Sequence, residues 1–166
     1  MFKYKTEVST LPEVKVFTPE PYTDYRGTMW THWESSMDTP QSKISKFTRS
    51  RKNVLRGLHG DNETSKHITC VYGAFYLVVV DYREGSPNYL QWDSFVLDDK
   101  NMKSVLVPPG FLNGHLCLSD ECVFHYTQSY PNEYVDWKDQ ISVKWNDPML
   151  KINWPIDNPI LSERDK

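Results

Sequence analysis

Short apolar runs separated by turn-forming residues recur along the whole chain. Turn signals stand at TPEPYTDYRG, GDNETS, YREGSPNY, LDDKN, VPPG and NDP. Between them lie runs rich in Val, Ile, Phe, Tyr and Thr: VKVFTP, TMWTHW, ISKFTRS, HITCVYGAFYLVVVDY, LQWDSFVL, KSVLVP, GHLCL, CVFHYTQSY and ISVKW. Short strands divided in this way are typical of an all-β sandwich or barrel. The pattern therefore predicts an all-β protein, and more specifically a jelly-roll barrel.

One run, AFYLVVVDY, is apolar at nearly every position. A strand that is apolar on both sides has both faces covered, as in a closed barrel or a packed sandwich. Only ESSMDTP and the C-terminal segment leave room for short helical turns. Because there is no linker, internal repeat or low-complexity segment, we expect residues 1–166 to form a single domain.

Composition indicates what the protein does not bind. A net charge of -3 offers no basic surface for nucleic acid or an anionic membrane. No apolar run reaches the roughly 18 residues of a membrane span, and MFKYKTEVST lacks the apolar core of a signal peptide. The three cysteines are odd in number and lack metal-ligand spacing, which favours a reducing compartment. We expect a cytoplasmic protein with no nucleic-acid or membrane partner.

An arginine and a histidine lie three residues apart in NVLRGLHGD, a segment that otherwise resembles a strand. In an ideal strand, residues three apart point to opposite faces. We expect Gly57 or Gly60 to permit a bulge or bend that turns Arg56 and His59 to the same side. Taken alone, His59 is equally compatible with a structural histidine satisfied by backbone hydrogen bonds at a strand end.

Three other candidates have ordinary structural interpretations when each is taken alone. Alternation along CVFHYTQSY places Tyr126 on the same strand face as Gln128, whereas His125 points to the other face. A buried tyrosine with a hydrogen-bonded hydroxyl is common in protein cores. Asp165 near the C-terminus and Arg26 in a turn would by themselves be solvated surface charges.

A metal site can be tested against the spacing used by cupins, the jelly-roll proteins that often bind a metal. That spacing has two histidines one residue apart, a glutamate beyond them and a histidine shortly after a Pro-x-Gly turn. Here Asp61 follows the first histidine where a second is needed, and Asn113 occupies the place after the turn. The set His59, Glu63 and His115 stays open as an alternative, although its spacing does not match. No metal is expected.

Several segments, in order along the chain, carry a family resemblance: NVLRGLHG, VVVDYREGSPNYLQW, VPPGFLNGHLCLSD, FHYTQSY, VKWNDPMLKINWP and PILSERD. Together they resemble the nucleotide-sugar 3,5-epimerase family of the cupins, whose best-known member acts on dTDP-4-dehydro-6-deoxyglucose in rhamnose synthesis. The resemblance runs from about TDYRGTMW to the C-terminus. It implies a metal-free and cofactor-free jelly roll, usually a homodimer, that inverts C3, C5 or both of a nucleotide-diphosphate-linked 4-keto sugar for surface polysaccharide synthesis.

The resemblance also implies a role for each residue that matches a family motif. His59 in RGLH corresponds to the general base, and Asp165 at the end of LSxxD pairs with it. Tyr126 in F-x-Y corresponds to the general acid on the other side of the sugar. Lys66 corresponds to the cation beside the developing enolate. The two arginines near the diphosphate are Arg26 and Arg56.

The chain departs from the rhamnose-pathway pattern near the expected substrate. Asn113 and His115 replace a histidine and an aromatic of the pattern GFAHGF, and Gly60 and Asp61 follow the general base in place of an aromatic. The features RGLHGD and N-x-H resemble more closely the subgroup that acts on GDP-linked 4-keto-heptoses. The substrate is therefore expected to be either GDP- or dTDP-linked, with Asn113 and His115 among its binding residues.

The residue types suit enolate chemistry. A 4-keto group acidifies the protons on C3 and C5, and a histidine oriented by a carboxylate can remove one. A tyrosine can return a proton from the opposite face, while a lysine stabilises the charge that develops on oxygen. Two alternatives stay open: a non-catalytic cupin that binds a sugar nucleotide, and a metal-dependent cupin isomerase or oxygenase. A 3,4-ketoisomerase would use the same enolate, but those cupins carry a different histidine pattern.

Overall fold

The computed structural model describes residues 3–166, which form thirteen β-strands and, within that range, no helix. The strands are β1 (Tyr4–Val8), β2 (Lys15–Pro19), β3 (Tyr22–Asp24), β4 (Gly27–Met29), β5 (Ile44–Arg51), β6 (Leu55–Gly60), β7 (Ser65–Tyr72), β8 (Ala74–Asp81), β9 (Trp92–Asp98), β10 (Ser104–Val107), β11 (Phe111–Cys117), β12 (Glu121–Ser129) and β13 (Ile141–Ser142). The all-β prediction is confirmed.

Two antiparallel sheets form the jelly roll. The larger has the order β1-β2-β10-β7-β12-β5, and the smaller has the order β13-β6-β11-β8-β9. Strands β3 and β4 form a separate hairpin. Several neighbours within a sheet are far apart in the chain, so long-range contacts assemble both sheets. No helix in the described part of the chain is long and apolar enough to cross a membrane.

The predicted strand boundaries were partly wrong. The run HITCVYGAFYLVVVDY divides into β7 and β8 at Gly73, which has a φ of +73°. A Cβ at this position would lie 2.2 Å from the Glu121 carbonyl oxygen, so the turn requires glycine. The run TMWTHW contributes only the end of β4, and β1 and β3 were not predicted. Residues 34–40 and the C-terminal residues, where short helical turns were expected, form turns without a helical segment.

Strand β8 is covered on both faces, as its apolar sequence predicted. Phe75, Leu77 and Val79 lie in the core between the two sheets. Val78 and Val80 pack instead in a second apolar cluster on the other side of the small sheet. Partly buried residues of the C-terminal segment, including Ile152 and Trp154, cover that cluster. Each fully buried aliphatic side chain contributes roughly 1.5–3 kcal/mol, so both layers stabilise the fold.

Candidate active site

An open cavity of about 220 Å³ lies between the two sheets. Among the residues that line it, four are cations and none is a carboxylate. The lining residues are Lys46, Thr48, Arg56, His59, Lys66, Asn113, His115, Phe124, Tyr126, Gln128, Tyr134, Trp137, Gln140 and Arg164. Six of the eight residues predicted from the sequence line this cavity, and Asp165 contacts one of them.

A β-bulge in β6 turns Arg56 and His59 to the same side. Asn113 on β11 pairs with His59, whereas His115 pairs with Arg56, so three steps along β6 match two steps along β11. Gly57 lies inside this bulge with a φ of +122°, and a Cβ there would lie 2.5 Å from the Gly114 Cα atom. The predicted bulge is therefore confirmed, and Gly57 is the glycine that permits it.

His59 and Asp165 form a close pair at the cavity wall. The distance between His59 Nε2 and Asp165 Oδ1 is 2.6 Å, with side chains 18% and 4% exposed. Ser162 donates a hydrogen bond of 2.8 Å to Asp165 Oδ2. Burial by itself raises the pKa of Asp165, but the contacts with His59 and Ser162 hold it below its ordinary value. The ionised carboxylate can therefore orient the imidazole and stabilise its protonated form.

Main-chain contacts bring the C-terminal tail to this histidine. The Leu55 N–H donates to the Ile160 carbonyl oxygen at 3.0 Å, and the Ile160 N–H donates to the Asn53 carbonyl oxygen at 2.8 Å. A turn in which the Asp165 N–H donates to the Ser162 carbonyl oxygen then directs the carboxylate toward β6. The pair thus brings together two residues, His59 and Asp165, that are more than a hundred positions apart in the sequence.

Lys66 occupies the interior of the cavity from strand β7. Only 8% of the residue is exposed, and its Nζ donates a hydrogen bond of 2.9 Å to Asn113 Oδ1. Burial lowers the pKa of Lys66 to about 8, an effect that the more distant Asp61 only partly offsets. A lysine in this position is still mainly protonated near neutral pH, and it can stabilise negative charge that develops on a substrate oxygen.

Tyr126 lies across the cavity from His59. Tyr126 belongs to β12 of the large sheet, and His59 belongs to β6 of the small sheet, yet both line the same cavity. Burial raises the pKa of Tyr126, and the nearby Lys46 opposes this effect more weakly. The hydroxyl therefore keeps its proton at neutral pH. A proton acceptor and a proton donor thus stand on opposite walls.

Arg56 and His115 occupy the wall around the bulge in different ways. Arg56 is exposed, and its Nε donates a hydrogen bond of 3.1 Å to Ser50 Oγ. His115 is buried and stacks on Phe124, with ring centroids 4.0 Å apart. Burial lowers the pKa of His115 to about 3, and Arg56 acts in the same direction. His115 is therefore a neutral packing group of the wall, whereas Arg56 offers a free cationic edge.

One predicted site residue and one alternative residue set do not assemble at the cavity within this chain. Arg26 lies on the exposed β3–β4 hairpin, where it forms an ion pair of 2.6 Å with Asp24, and it does not line the cavity. Glu63 accepts a hydrogen bond from Asn132 and faces a different groove. Across residues 3–166, no group of three or more His, Cys, Asp or Glu side chains is arranged to hold a metal ion.

Sequence reasoning missed several residues at the cavity mouth. Lys46 donates a hydrogen bond of 2.6 Å to the Tyr134 hydroxyl, and the Arg164 guanidinium lies 5.4 Å from the centroid of the Trp137 ring. Arg164 directly precedes Asp165 in the LSERD segment. Its position next to a predicted site residue could have indicated that it lies near the cavity. Gln128 is two residues after Tyr126 and lies on the same strand face, as the alternation predicts, but the sequence indicated no role for it. The two aromatics lie in a loop that no periodic pattern identifies.

Comparison with known proteins gives one consistent result. The family model described as dTDP-4-dehydrorhamnose 3,5-epimerase matches residues 8–166. A protein of that name from Methanothermobacter thermautotrophicus is 32% identical over 178 residues, covering 100% of this chain and 94% of the relative. One from Pseudomonas aeruginosa is 34% identical over 167 residues, covering 94% of this chain and 90% of the relative.

Solved structures agree with the sequence comparison. The epimerase from Legionella pneumophila in complex with dTDP-4-keto-L-rhamnose has a TM-score of 0.91 at 29% identity, covering 98% of this chain and 90% of that one. A 3'-monoepimerase from Streptomyces bikiniensis in complex with dTDP-quinovose has a TM-score of 0.87 at 28% identity, covering 96% and 84%. The similarity therefore extends over nearly the whole of each chain.

Proposed function

The chain belongs to the dTDP-4-dehydrorhamnose 3,5-epimerase family, and we propose that it inverts C3, C5 or both of a nucleotide-linked 4-keto sugar. The observation that carries this proposal is the pair of His59 and Asp165 on one wall of the cavity with Tyr126 on the other. Epimerisation needs a base and an acid on opposite sides of the sugar ring, and this cavity offers both.

His59 takes the proton next to the keto group. Removal of that proton leaves an enolate, and Asp165 stabilises the imidazolium that forms. Lys66 faces the oxygen on which the negative charge develops. Tyr126 then donates its proton to the carbon from the opposite face, which inverts the centre. The tyrosinate that remains regains a proton from solvent through the open cavity, and the His59 imidazolium releases its proton to solvent.

The cations at the mouth suit the diphosphate. Arg56, Lys46 and Arg164 all line the cavity, and Arg56 and Arg164 are capable of bidentate contacts with phosphate oxygens. Holding the diphosphate positions the sugar against the catalytic groups. We expect Arg56→Ala to raise KM about 10-fold or more and to weaken binding of the free nucleoside diphosphate. Equal loss of affinity for a nucleotide-free sugar would contradict this role.

A homodimer would account for the position of Arg26. The hairpin that carries it also exposes Tyr22, Tyr25 and Met29 by 60%, 97% and 70%. Apolar side chains projecting from a short hairpin are typical of a contact surface. We propose that a second copy covers this hairpin, and that Arg26 reaches the diphosphate in that copy's cavity. Analytical ultracentrifugation tests the dimer.

A mixing experiment tests whether Arg26 acts across the dimer. Arg26→Ala and His59→Asn chains, each weakly active alone, are co-expressed to form mixed dimers. In a mixed dimer, the Arg26→Ala chain keeps His59 and receives Arg26 from the other copy. Recovery of activity supports action across the dimer. No recovery in verified mixed dimers would show that Arg26 does not act across the dimer.

The identity of the nucleotide remains a prediction, and the sugar is expected to be linked to either GDP or dTDP. The changes at Asn113, His115 and Asp61 favour GDP, whereas the structural relatives carry dTDP-linked ligands. We expect GDP to bind at least as well as dTDP. Calorimetric titration with GDP and with dTDP compares the two affinities. A clear preference for dTDP would favour a dTDP-linked substrate of the rhamnose type. A cytoplasmic location and a single-domain organisation likewise stay predictions.

A panel of 4-keto sugars tests the function directly. dTDP-, GDP- and UDP-linked substrates are incubated with the protein in deuterated water, and mass spectrometry and NMR identify the carbons that exchange and invert. We expect exchange at C3, C5 or both with at least one substrate. Absence of exchange with every substrate would overturn the enzymatic proposal. Treatment with a chelator separates the metal-free epimerase from the metal-dependent alternative. We expect the epimerase activity to survive this treatment.

A further inference from the structure

The lysine of the cavity is held by an amide and not by a carboxylate. Lys66 Nζ donates to Asn113 Oδ1 at 2.9 Å, and both residues are 8% exposed. Buried lysines are normally paired with an acidic group, because an unpaired buried charge is costly. No salt bridge joins Lys66 to any carboxylate among residues 3–166.

The other groups around Lys66 are neutral, cationic or distant. On the neighbouring strand β10, its partner in register is the apolar Val107. On β12 its partner is Gln128, which is 2% exposed and whose Oε1 has no hydrogen-bond partner among the described residues. The remaining titratable or charged groups that share the cavity or act on Lys66 are Lys46, Arg56, His59, His115, Tyr126, Tyr134, Arg164 and, farther away, Asp61.

Taking the proposed function as its basis, we propose that Asn113 is a positioning residue that directs the Lys66 ammonium at the sugar's 4-oxygen without neutralising it. A carboxylate at this position would pair with the ammonium and cancel most of its charge before the enolate forms. An amide oxygen accepts the same hydrogen bond with only a partial charge. The enolate oxygen therefore meets a nearly full positive charge.

The fold holds Asn113 firmly in this position. Its main chain pairs with His59 on β6 and with Val79 on β8, so it lies in the middle of the small sheet. The Asn113 carbonyl oxygen lies 2.8 Å from the point where a Gly57 Cβ would stand. The bulge that turns His59 inward therefore also brings β6 close to Asn113. One local feature of the backbone, the bulge in β6, therefore sets the positions of both His59 and Asn113.

Two substitutions at residue 113 separate a positioning role from a structural one. Asn113→Asp supplies a carboxylate, which raises the pKa of Lys66 by about 1 unit or more. Asn113→Leu removes the acceptor, which lowers that pKa further. We expect the alkaline limb of the pH–rate profile to move to higher pH in the first variant and to lower pH in the second. Both variants should lose about 10-fold or more in rate at neutral pH.

A control and a second measurement keep the test independent of turnover. Asn146→Asp adds the same charge at an exposed site away from the cavity, and its profile should match the parent. NMR titration of protein labelled with carbon-13 at the lysine Cε reports the pKa of Lys66 directly, with Lys66→Met used for assignment. An unshifted Lys66 resonance in folded Asn113→Asp would overturn the inference even if the protein is an active epimerase. A shifted resonance without epimerase activity would overturn the proposed function alone.

Discussion

The two faces of the six-stranded sheet bury titratable side chains for different purposes. Lys66 and Tyr126 point into the cavity, whereas their chain neighbours His67 and His125 point to the outer face. On that outer face His32 stacks on His67, with ring centroids 4.5 Å apart. Burial lowers the pKa of His67 to about 3 and that of His32 to about 4. These outer histidines are therefore neutral packing groups.

The presence of a carboxylate distinguishes the two kinds of histidine. Among the described residues, His59 is the one histidine in a salt bridge, and its partner Asp165 is nearly fully buried. His67 and His125 contact serine hydroxyls instead, at 2.7 Å from Ser104 and 2.9 Å from Ser45. A serine can satisfy a neutral ring, but it cannot stabilise an imidazolium as a carboxylate does. Burial alone therefore does not identify the base.

The largest expected effect is at the paired histidine. His59→Asn removes the proton acceptor while keeping a polar side chain of similar size. Deuterium exchange at C3 and C5 should fall by about 10²–10⁴-fold, as is usual for loss of a general base. His125→Asn is the matched control on the outer face and should exchange nearly as fast as the parent. Rapid exchange in a folded His59→Asn variant would show that another residue is the base.

Lys66→Met sharpens the contrast because it should lower activity and raise stability together. Loss of a group that stabilises the enolate should cost about 10²–10³-fold in rate. The folded-state pKa of Lys66, about 8, lies below its ordinary value of 10.5, so the buried charge costs free energy below pH 8.

The stability gain of Lys66→Met should depend on pH in a defined way. Below pH 8 the free energy of unfolding should rise by about 1–3 kcal/mol. The gain should fade between pH 8 and 10.5, where the folded parent has already released the proton that its unfolded chain retains. Urea unfolding at pH 7 and pH 10 measures both values. A variant less stable than the parent at pH 7 would contradict the assignment of Lys66 as an uncompensated buried charge.

Tyr126→Phe should separate the two proton transfers. The ring and its packing remain, but the proton that it donates is gone. The enolate should still form and regain a proton from the side of His59, so that exchange with solvent continues while net inversion falls about 10²-fold. NMR of the recovered sugar distinguishes exchange from inversion. Normal inversion would remove Tyr126 from the mechanism, and loss of both processes would assign it to binding or folding.

The smallest effect on activity should come from the outer face. His67→Gln should leave turnover within about 2-fold of the parent. Between pH 3 and its ordinary value of 6.5, the unfolded chain binds a proton that buried His67 does not, so the parent loses stability on acidification. The variant should lose about 1 kcal/mol less per pH unit between pH 6 and 4. Equal acid sensitivity would show that His67 is not buried in its neutral form.

Local sequence patterns predicted the fold class and the directions in which several cavity side chains point. Strand alternation placed Tyr126 and His125 on opposite faces, and the glycine between Arg56 and His59 indicated the bulge. These inferences succeeded because each depends on residues within a few positions of one another. The proposed roles of the four catalytic candidates, in contrast, came from resemblance to family motifs, since nothing local marks them as catalytic; these residues are His59, Lys66, Tyr126 and Asp165.

Only the tertiary structure decided which residues meet. Residue 165 reaches residue 59 because the tail pairs with the start of β6, and Asn113 reaches Lys66 because two sheets face each other across the cavity. Arg26 carried a family motif but lies outside its own chain's cavity, whereas Arg164 lies inside it. The sequence by itself indicated most of the strands and turns and the directions in which their side chains point, because these follow from backbone geometry over short distances. Strand order and cavity lining depend on pairing between distant segments, so they exist only in the folded chain.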